Sequence, residues 1–176
     1  MEKDNKHIDI RSTKHILVPY CALAQGIRAD GIVKHYSAVV KDVIEYLTQE
    51  KINIMQMPCP ELDFDGYKRP PHNKKYYENL RGYREECRRI ALDVVKKIRG
   101  IQSVGYDIIG ILGVNYSPSC AVDFIRFNEQ GTGIYIEELK KALKENNLLL
   151  PLIGIENGRM GNTMDKLKQL IKIHSK

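Results

Sequence analysis

Cys21, Cys59 and Cys120 are the residues whose type and placement point most directly to chemistry. Each follows a short apolar run that reads as a β-strand, and each lies in a turn rich in Gly or Pro. The thiolate form of cysteine is a nucleophile and a soft metal ligand. Three thiolates meeting at one point suit a metal or iron–sulfur site with one coordination position left open. In a parallel α/β sheet the segments leaving the strand C-termini converge on one edge, and ligands bind there. Cysteines far apart in sequence are brought together in this way. Cys87 differs in kind, because it falls on the apolar stripe of a helix, where a free cysteine packs as a small hydrophobe.

The three turns are Cys21-Ala-Leu-Ala-Gln-Gly26-Ile-Arg28-Ala-Asp30-Gly31, Pro58-Cys59-Pro60-Glu61 and Ser117-Pro118-Ser119-Cys120. Glycines in the first let the backbone turn tightly. Prolines on both sides of Cys59 stiffen the second. Structural zinc sites use closely spaced pairs such as C-x2-C, and the sequence has none. A three-thiolate zinc and an iron–sulfur cluster both remain open on spacing alone. Glu61, two residues from a cysteine, is placed to act as a general acid or base. Arg28 and Asp30 are candidate substrate-binding residues; Arg28 could orient a carbonyl or an anionic group.

The elements that must position these turns alternate along the chain. HILVPY (15–20), INIMQM (52–57), DIIGILGV (107–114) and LLLPLIGI (148–155) read as strands. Helices are expected over 34–51, with Tyr36, Val39, Val40, Val43 and Leu47 on one face, and over 134–147 and 162–173. A long helix over 77–99 has the stripe Leu80, Tyr83, Cys87, Ile90, Ala91, Val94 and Ile98, and Gly100 is expected to end it. Residues 62–75 carry Gly, two prolines and many charges and read as a long loop. The strands are apolar runs rather than alternations, the mark of burial on both faces of a parallel sheet. The expected fold is α/β: a single-domain, three-layer α/β/α sandwich with a mostly parallel sheet of four or five strands, Rossmann-like. Residues 1–13 read as a flexible lead-in and 14–176 as the domain.

A chain of 176 residues fits one core. No apolar run reaches membrane-span length and no secretory pattern opens the sequence, so reduced cysteines and a cytoplasmic location are expected, with no membrane partner. The net charge of +6 makes an anionic or nucleotide ligand one reading of the surface, with Tyr67, Tyr76 and Tyr77 available to stack on a base. The plainer reading is a solvated basic surface. His35, near the cysteine edge, is a weaker site candidate; His7, His72 and His174 carry no signal.

Taken together, C-x4-G-x-R-x-D-G (Cys21–Gly31), C-P-E (Cys59–Glu61) and S-P-S-C (Ser117–Cys120) resemble the thiouracil desulfurase family and its related desulfidases. Gly131-Thr132-Gly133-Ile134 matches the family's glycine-rich stretch, and the likeness runs from about His15 to Leu143. It implies a [4Fe–4S] cluster on Cys21, Cys59 and Cys120. One iron would lack a protein ligand and would take the sulfur from a small thiolated substrate, such as a thiouracil or thionucleobase. It also implies that Glu61 and a serine of the S-P-S-C turn assist catalysis, Ser117 the better candidate and Ser119 the weaker. The chain departs from the family in Ala121, where glycine is usual, in CALAQG in place of C-L-L-G, and in the loop at 62–75. Such changes bear on the substrate more than on the cluster, because loops around a shared site set specificity. Two other readings stand beside this one. One is a sulfur-transfer protein using the same cluster, and the other a basic nucleotide- or RNA-binding module whose thiols hold zinc or sense redox state.

Overall fold

In the computed structural model, which describes residues 9–127 and 129–174, the chain begins with β1 (Lys14–Pro19), a short α1 (Tyr20–Leu23) and a 3-10 turn (Gln25–Ile27). It continues with α2 (Lys41–Gln49), β2 (Asn53–Met57), α3 (Pro60–Asp65), α4 (Lys74–Glu78) and α5 (Tyr83–Ser103). Then follow β3 (Asp107–Val114), a small antiparallel pair β4 (Phe124–Arg126) and β5 (Glu129–Gln130), α6 (Ile134–Glu145), β6 (Leu152–Ile155) and α7 (Met160–Ile173). β1, β2, β3 and β6 form one parallel sheet in the order β2-β1-β3-β6.

Strand side chains alternate between two cores. Leu17, Ile108, Ile111 and Val114 pack with Tyr83, Cys87, Ile90, Val94 and Ile98 of α5 and with Ile136 and Leu139 of α6. Ile16, Val18, Ile109 and Leu112 face the other way, onto Val43 and Leu47 of α2 and Leu167, Leu170 and Ile171 of α7. Helices thus cover both faces, and the fold is the expected Rossmann-like α/β/α arrangement, its sheet parallel throughout its four strands. Each fully buried aliphatic or aromatic side chain contributes about 1.5–3 kcal/mol, so the α5 stripe alone is a major source of stability. Cys87, wholly buried there, belongs to that stripe as read. Among the described residues no helix is long and apolar enough to cross a membrane.

Five boundaries differ from the sequence expectation. The long helix expected from residue 77 starts at Tyr83, because Gly82 at φ +86° breaks it from α4 and leaves Leu80 between the two. Residues 34–40 are not helical; α2 starts at Lys41. Their backbone bonds go to the first cysteine turn instead, through Gln25 N–H to Ala38 O at 2.6 Å and Val40 N–H to Ala22 O at 2.8 Å. Residues 62–75 contain helix at both ends rather than forming one long loop. Pro60 at the first position of α3 is preset for a helix, Glu61 and Asp63 favour its N-terminal turn, and Gly66 at φ +80° ends it. Gly100 lies inside α5, and the helix is closed by Gly105 at φ +80°. There Gly105 N–H bonds Gln102 O and Tyr106 N–H bonds Ile101 O, the paired bonds of a Schellman cap. The last strand is shorter than the apolar run suggests: Leu149 is exposed, and β6 begins only after Pro151.

Candidate functional site

Strand order decides where the cysteines meet. The chain passes from β1 to β2 on one side, and β3 lies on the other side of β1, so the sheet has a switch point between β1 and β3. Ligands bind outside the strand C-termini at such a point. Cys21 follows β1 in α1, Cys59 follows β2 as the N-cap of α3, and Cys120 lies in the turn after β3. These are three adjacent strand ends. All three thiols line a single cavity of about 260 Å³, together with Arg28, Glu61, Arg69, His72, Tyr116 and Ser117.

Each cysteine turn is fixed by a local device. Cys21 O accepts from Nε2 of Gln25 at 2.5 Å, and Gln25 is itself buried. The carbonyl of Cys59 accepts from Asp63 N–H at 3.1 Å, the first bond of α3. The Cys120 turn is held hardest. Its carbonyl accepts from Val114 N–H at 2.8 Å, and Oγ of Ser117 accepts from the amides of Ser119 at 3.2 Å and Cys120 at 3.0 Å. Two glycines let neighbouring backbone approach. A Cβ on Gly113 would stand 2.4 Å from Cys120 O, and one on Gly133 would stand 2.3 Å from the carbonyl carbon of Ser119. The glycine-rich stretch read from the sequence thereby has a physical role, since it seats the start of α6 on this turn, with Ile134 N–H donating to Pro118 O. Tyr116, beside the turn, takes the left-handed conformation at φ +68°, which a bulky side chain holds only when its surroundings impose it.

Glu61 sits at the centre of the polar groups. Ser117 Oγ–H donates to its Oε1 at 3.1 Å, and Nη2 of Arg69 lies 3.6 Å from its Oε2. Arg69 was not singled out by the sequence, yet it organises this region. It is buried, and its Nη1 donates to Ile27 O at 2.9 Å and to Gly66 O at 3.0 Å. Its carbonyl accepts from Asp30 N–H at 2.9 Å. One guanidinium thus ties the first cysteine turn to the end of α3 and to Glu61.

The other candidates fall in different places. Arg28 lines the cavity, its Nη1 3.4 Å from Oε1 of Gln25. Asp30 is exposed and outside the lining. Ser119 is fully buried, is not part of the cavity lining and shares a hydrogen bond of 2.5 Å with Oη of Tyr83. His35 lies against Gly158, in a separate surface hollow. Tyr77 is buried in the core with its ring 4.5 Å from that of Tyr83, so it is not available for stacking on a base. His72, which carried no sequence signal, lines the cavity and stacks on Tyr76 at 3.6 Å. His7 lies outside the described residues. Nothing local marks Arg69 or His72, which reach the cavity only through the path of the chain between α3 and α4.

The thiols are electrostatically coupled. Burial pushes Cys21 up to about 11, with Arg28 pulling it down and Glu61 pushing it up. Burial, Glu61 and Cys21 push Cys59 up to about 12. Cys120 is held well above the ordinary thiol value by burial, then by Cys59 and Cys21. Three thiolates here need a cationic partner, and metal binding would release their protons. Among the described residues no three His, Cys, Asp or Glu side chains are gathered tightly enough to hold a single metal ion.

Fold and cavity define a class: a Rossmann-like α/β protein with a thiol-lined cavity at the switch point of a parallel sheet. Among known proteins the chain is 26% identical over 137 residues to the uncharacterized protein MJ0003 of Methanocaldococcus jannaschii, covering 78% of this chain and 82% of that one. No family model matches the chain. No solved structure matches it.

Proposed function

We propose that the chain is an iron–sulfur-dependent desulfurase that hydrolyses the thiocarbonyl of a small thiolated compound, with thiouracil-like nucleobases the first substrates to test. One observation carries the reading: Cys21, Cys59 and Cys120, from three neighbouring strand ends, line one cavity with Glu61, Ser117 and Arg28. The donor set favours soft metal chemistry, since all three groups are thiols. In a cluster each of three cysteines takes a different iron, which leaves the fourth without a protein ligand. A [4Fe–4S] cluster held by these three cysteines would supply an iron free of protein ligands, a Lewis acid suited to thiocarbonyl sulfur.

The remaining chemistry belongs to the chain. Exchanging C=S for C=O forms one C–O bond from water, breaks the C–S bond and releases sulfide, with no net change in oxidation state. A base must take a proton from the water, and an acid must return one to the departing sulfur. Glu61 is the group in the cavity fitted to both steps. Arg69 holds its Oε2 and the Ser117 hydroxyl its Oε1, which fixes the carboxylate. Ser117 has its O–H committed to Glu61 and its lone pairs to two amides, so it positions the base rather than attacking. Arg28, whose side chain has a neutral partner in Gln25, orients a carbonyl or anionic group of the substrate. Ile32, Val114 and Pro118 supply an apolar wall that limits water.

Protein purified or reconstituted without oxygen should contain about four irons and four acid-labile sulfides per chain and release sulfide from a thiouracil. Ser at position 21, 59 or 120 should abolish the iron, whereas Cys87→Ser should not. Zinc, or no metal under those conditions, would overturn the reading.

A further inference from the structure

Tyr116 holds a conformation that tyrosine rarely takes. Its φ of +68° lies in the left-handed region, where glycine rests freely and a bulky side chain is strained. The fold imposes it from both sides. Asn115 N–H donates to Ile155 O at 2.9 Å, Tyr116 N–H to Phe124 O at 2.7 Å and Ser117 N–H to Val114 O at 3.3 Å. A glycine would accept this backbone without strain, so what the position gains from tyrosine is its side chain.

That side chain reaches from the end of β3 to the loop after β6, where its O–H donates to Oε2 of Glu156 at 3.2 Å. Glu156 is buried, and its Oε1 accepts from Nδ2 of Asn162 at 2.9 Å. Tyr116 borders the thiol cavity and also a hollow of about 440 Å³ lined by His35, Phe127, Asn157, Gly158 and Arg159. Among the described residues it alone lines both. The cavity, at about 260 Å³, falls below the roughly 300–1,000 Å³ of sites for drug-sized ligands, and part of it belongs to the group the cysteines hold. It has room for one small ring. The hollow beyond Tyr116, where the Arg159 guanidinium lies 4.4 Å from the centre of the exposed Phe127 ring, is where a polar substituent on that ring would have to go.

We propose that Tyr116 is a specificity-determining residue: its side chain is the partition that restricts the site to a single-ring thiocarbonyl compound and excludes the same ring carrying a sugar. The inference rests on the desulfurase reading above and names the size of its substrate.

The test compares sulfide release from a thiouracil and from the corresponding thiouridine, in iron-loaded protein prepared without oxygen. The wild type should prefer the free base by about 100-fold in kcat/KM. Tyr116→Gly suits the left-handed backbone and removes the partition; it should cut that preference by at least about tenfold, mainly by lowering KM for the nucleoside. Tyr116→Phe, which retains the ring, should retain the preference. Calorimetric binding of uracil and uridine, the oxygen products, should shift in the same sense without any turnover. Tyr116→Asn, also short and tolerant of positive φ, takes the place of the glycine variant if that one fails to fold. Two results overturn the inference alone: a wild type that desulfurates base and nucleoside equally well, or a loaded glycine or asparagine variant with the wild-type preference. A wild type that takes up no iron, or releases sulfide from neither compound, overturns the desulfurase reading and this inference with it.

Discussion

Replacing Arg69 by methionine keeps most of the side-chain volume and removes the guanidinium that joins three parts of the site. Two hydrogen bonds from a charged donor to Ile27 O and Gly66 O disappear; each contributes about 1.5–3 kcal/mol. Glu61, 14% exposed, loses its cationic partner, and breaking a buried ion pair from one side costs about 3–5 kcal/mol. The terms overlap, and methionine escapes the desolvation of the arginine, so a net loss of about 3–5 kcal/mol is expected. With a urea slope of about 2 kcal/mol/M, the midpoint should fall by about 1.5–2.5 M. Arg69→Lys should recover only part of this, because one ammonium cannot reproduce a planar fork aimed at two carbonyls and a carboxylate. The assay is urea unfolding of metal-free protein followed by circular dichroism, combined with the alkylation rate of Cys21 in the native state. Release of the turn at Ile27 should speed that alkylation. A loss in Arg69→Met below about 1 kcal/mol, the net value of one ordinary hydrogen bond, with Cys21 reactivity unchanged, would refute the claim that Arg69 holds the cysteine turn.

Glu61→Gln should leave iron and sulfide content at wild-type values and lower turnover by at least about 100-fold; retained turnover in a loaded variant sinks the acid–base role. Gly133→Ala should destabilise by about 3 kcal/mol or more, because the new Cβ meets Ser119 backbone at 2.3 Å. Gly131→Ala, whose Cβ meets the Ile125 side chain first, at 3.1 Å, should cost much less in the same thermal scan. Burial tends to raise the Glu137 carboxyl, but hydrogen bonds from Lys74 and Arg84 outweigh it and hold the group below its ordinary 4.5. Its folded value is depressed, so its contribution is complete above about 4.5 and is lost as pH falls through the folded value. Glu137→Gln should therefore lower stability at neutral pH and flatten the acid limb of a stability-versus-pH curve; an unchanged acid limb counts against the ion-pair assignment.

What the sequence made legible was whatever a short stretch of chain can specify by itself. DIIGILGV forms β3 at the expected bounds, because an uninterrupted apolar run of that length has no stable place except between two helical layers. The cysteine turns were legible for the same reason, their Gly and Pro residues constraining the backbone locally. Gly100 misled because a glycine near a helix end is a cap only if the chain beyond it can reverse, and Gly105, not Gly100, is followed by a residue that bonds back to Ile101. Residues 34–40 misled because helical spacing of Tyr36, Val39 and Val40 competes with a distant partner, and bonds to Ala22 and Gln25 won. Arg69 marks the limit. An arginine among other basic residues looks in sequence like a solvated charge. Part of its role is local, through Gly66 and Glu61, but its hold on the first cysteine turn comes from Ile27, 42 positions away, which the pairing of β1 with β2 brings near. That hold is a property of the assembled sheet, and for that reason substitution at Arg69 tests the assembled site more sharply than further changes at the cysteines.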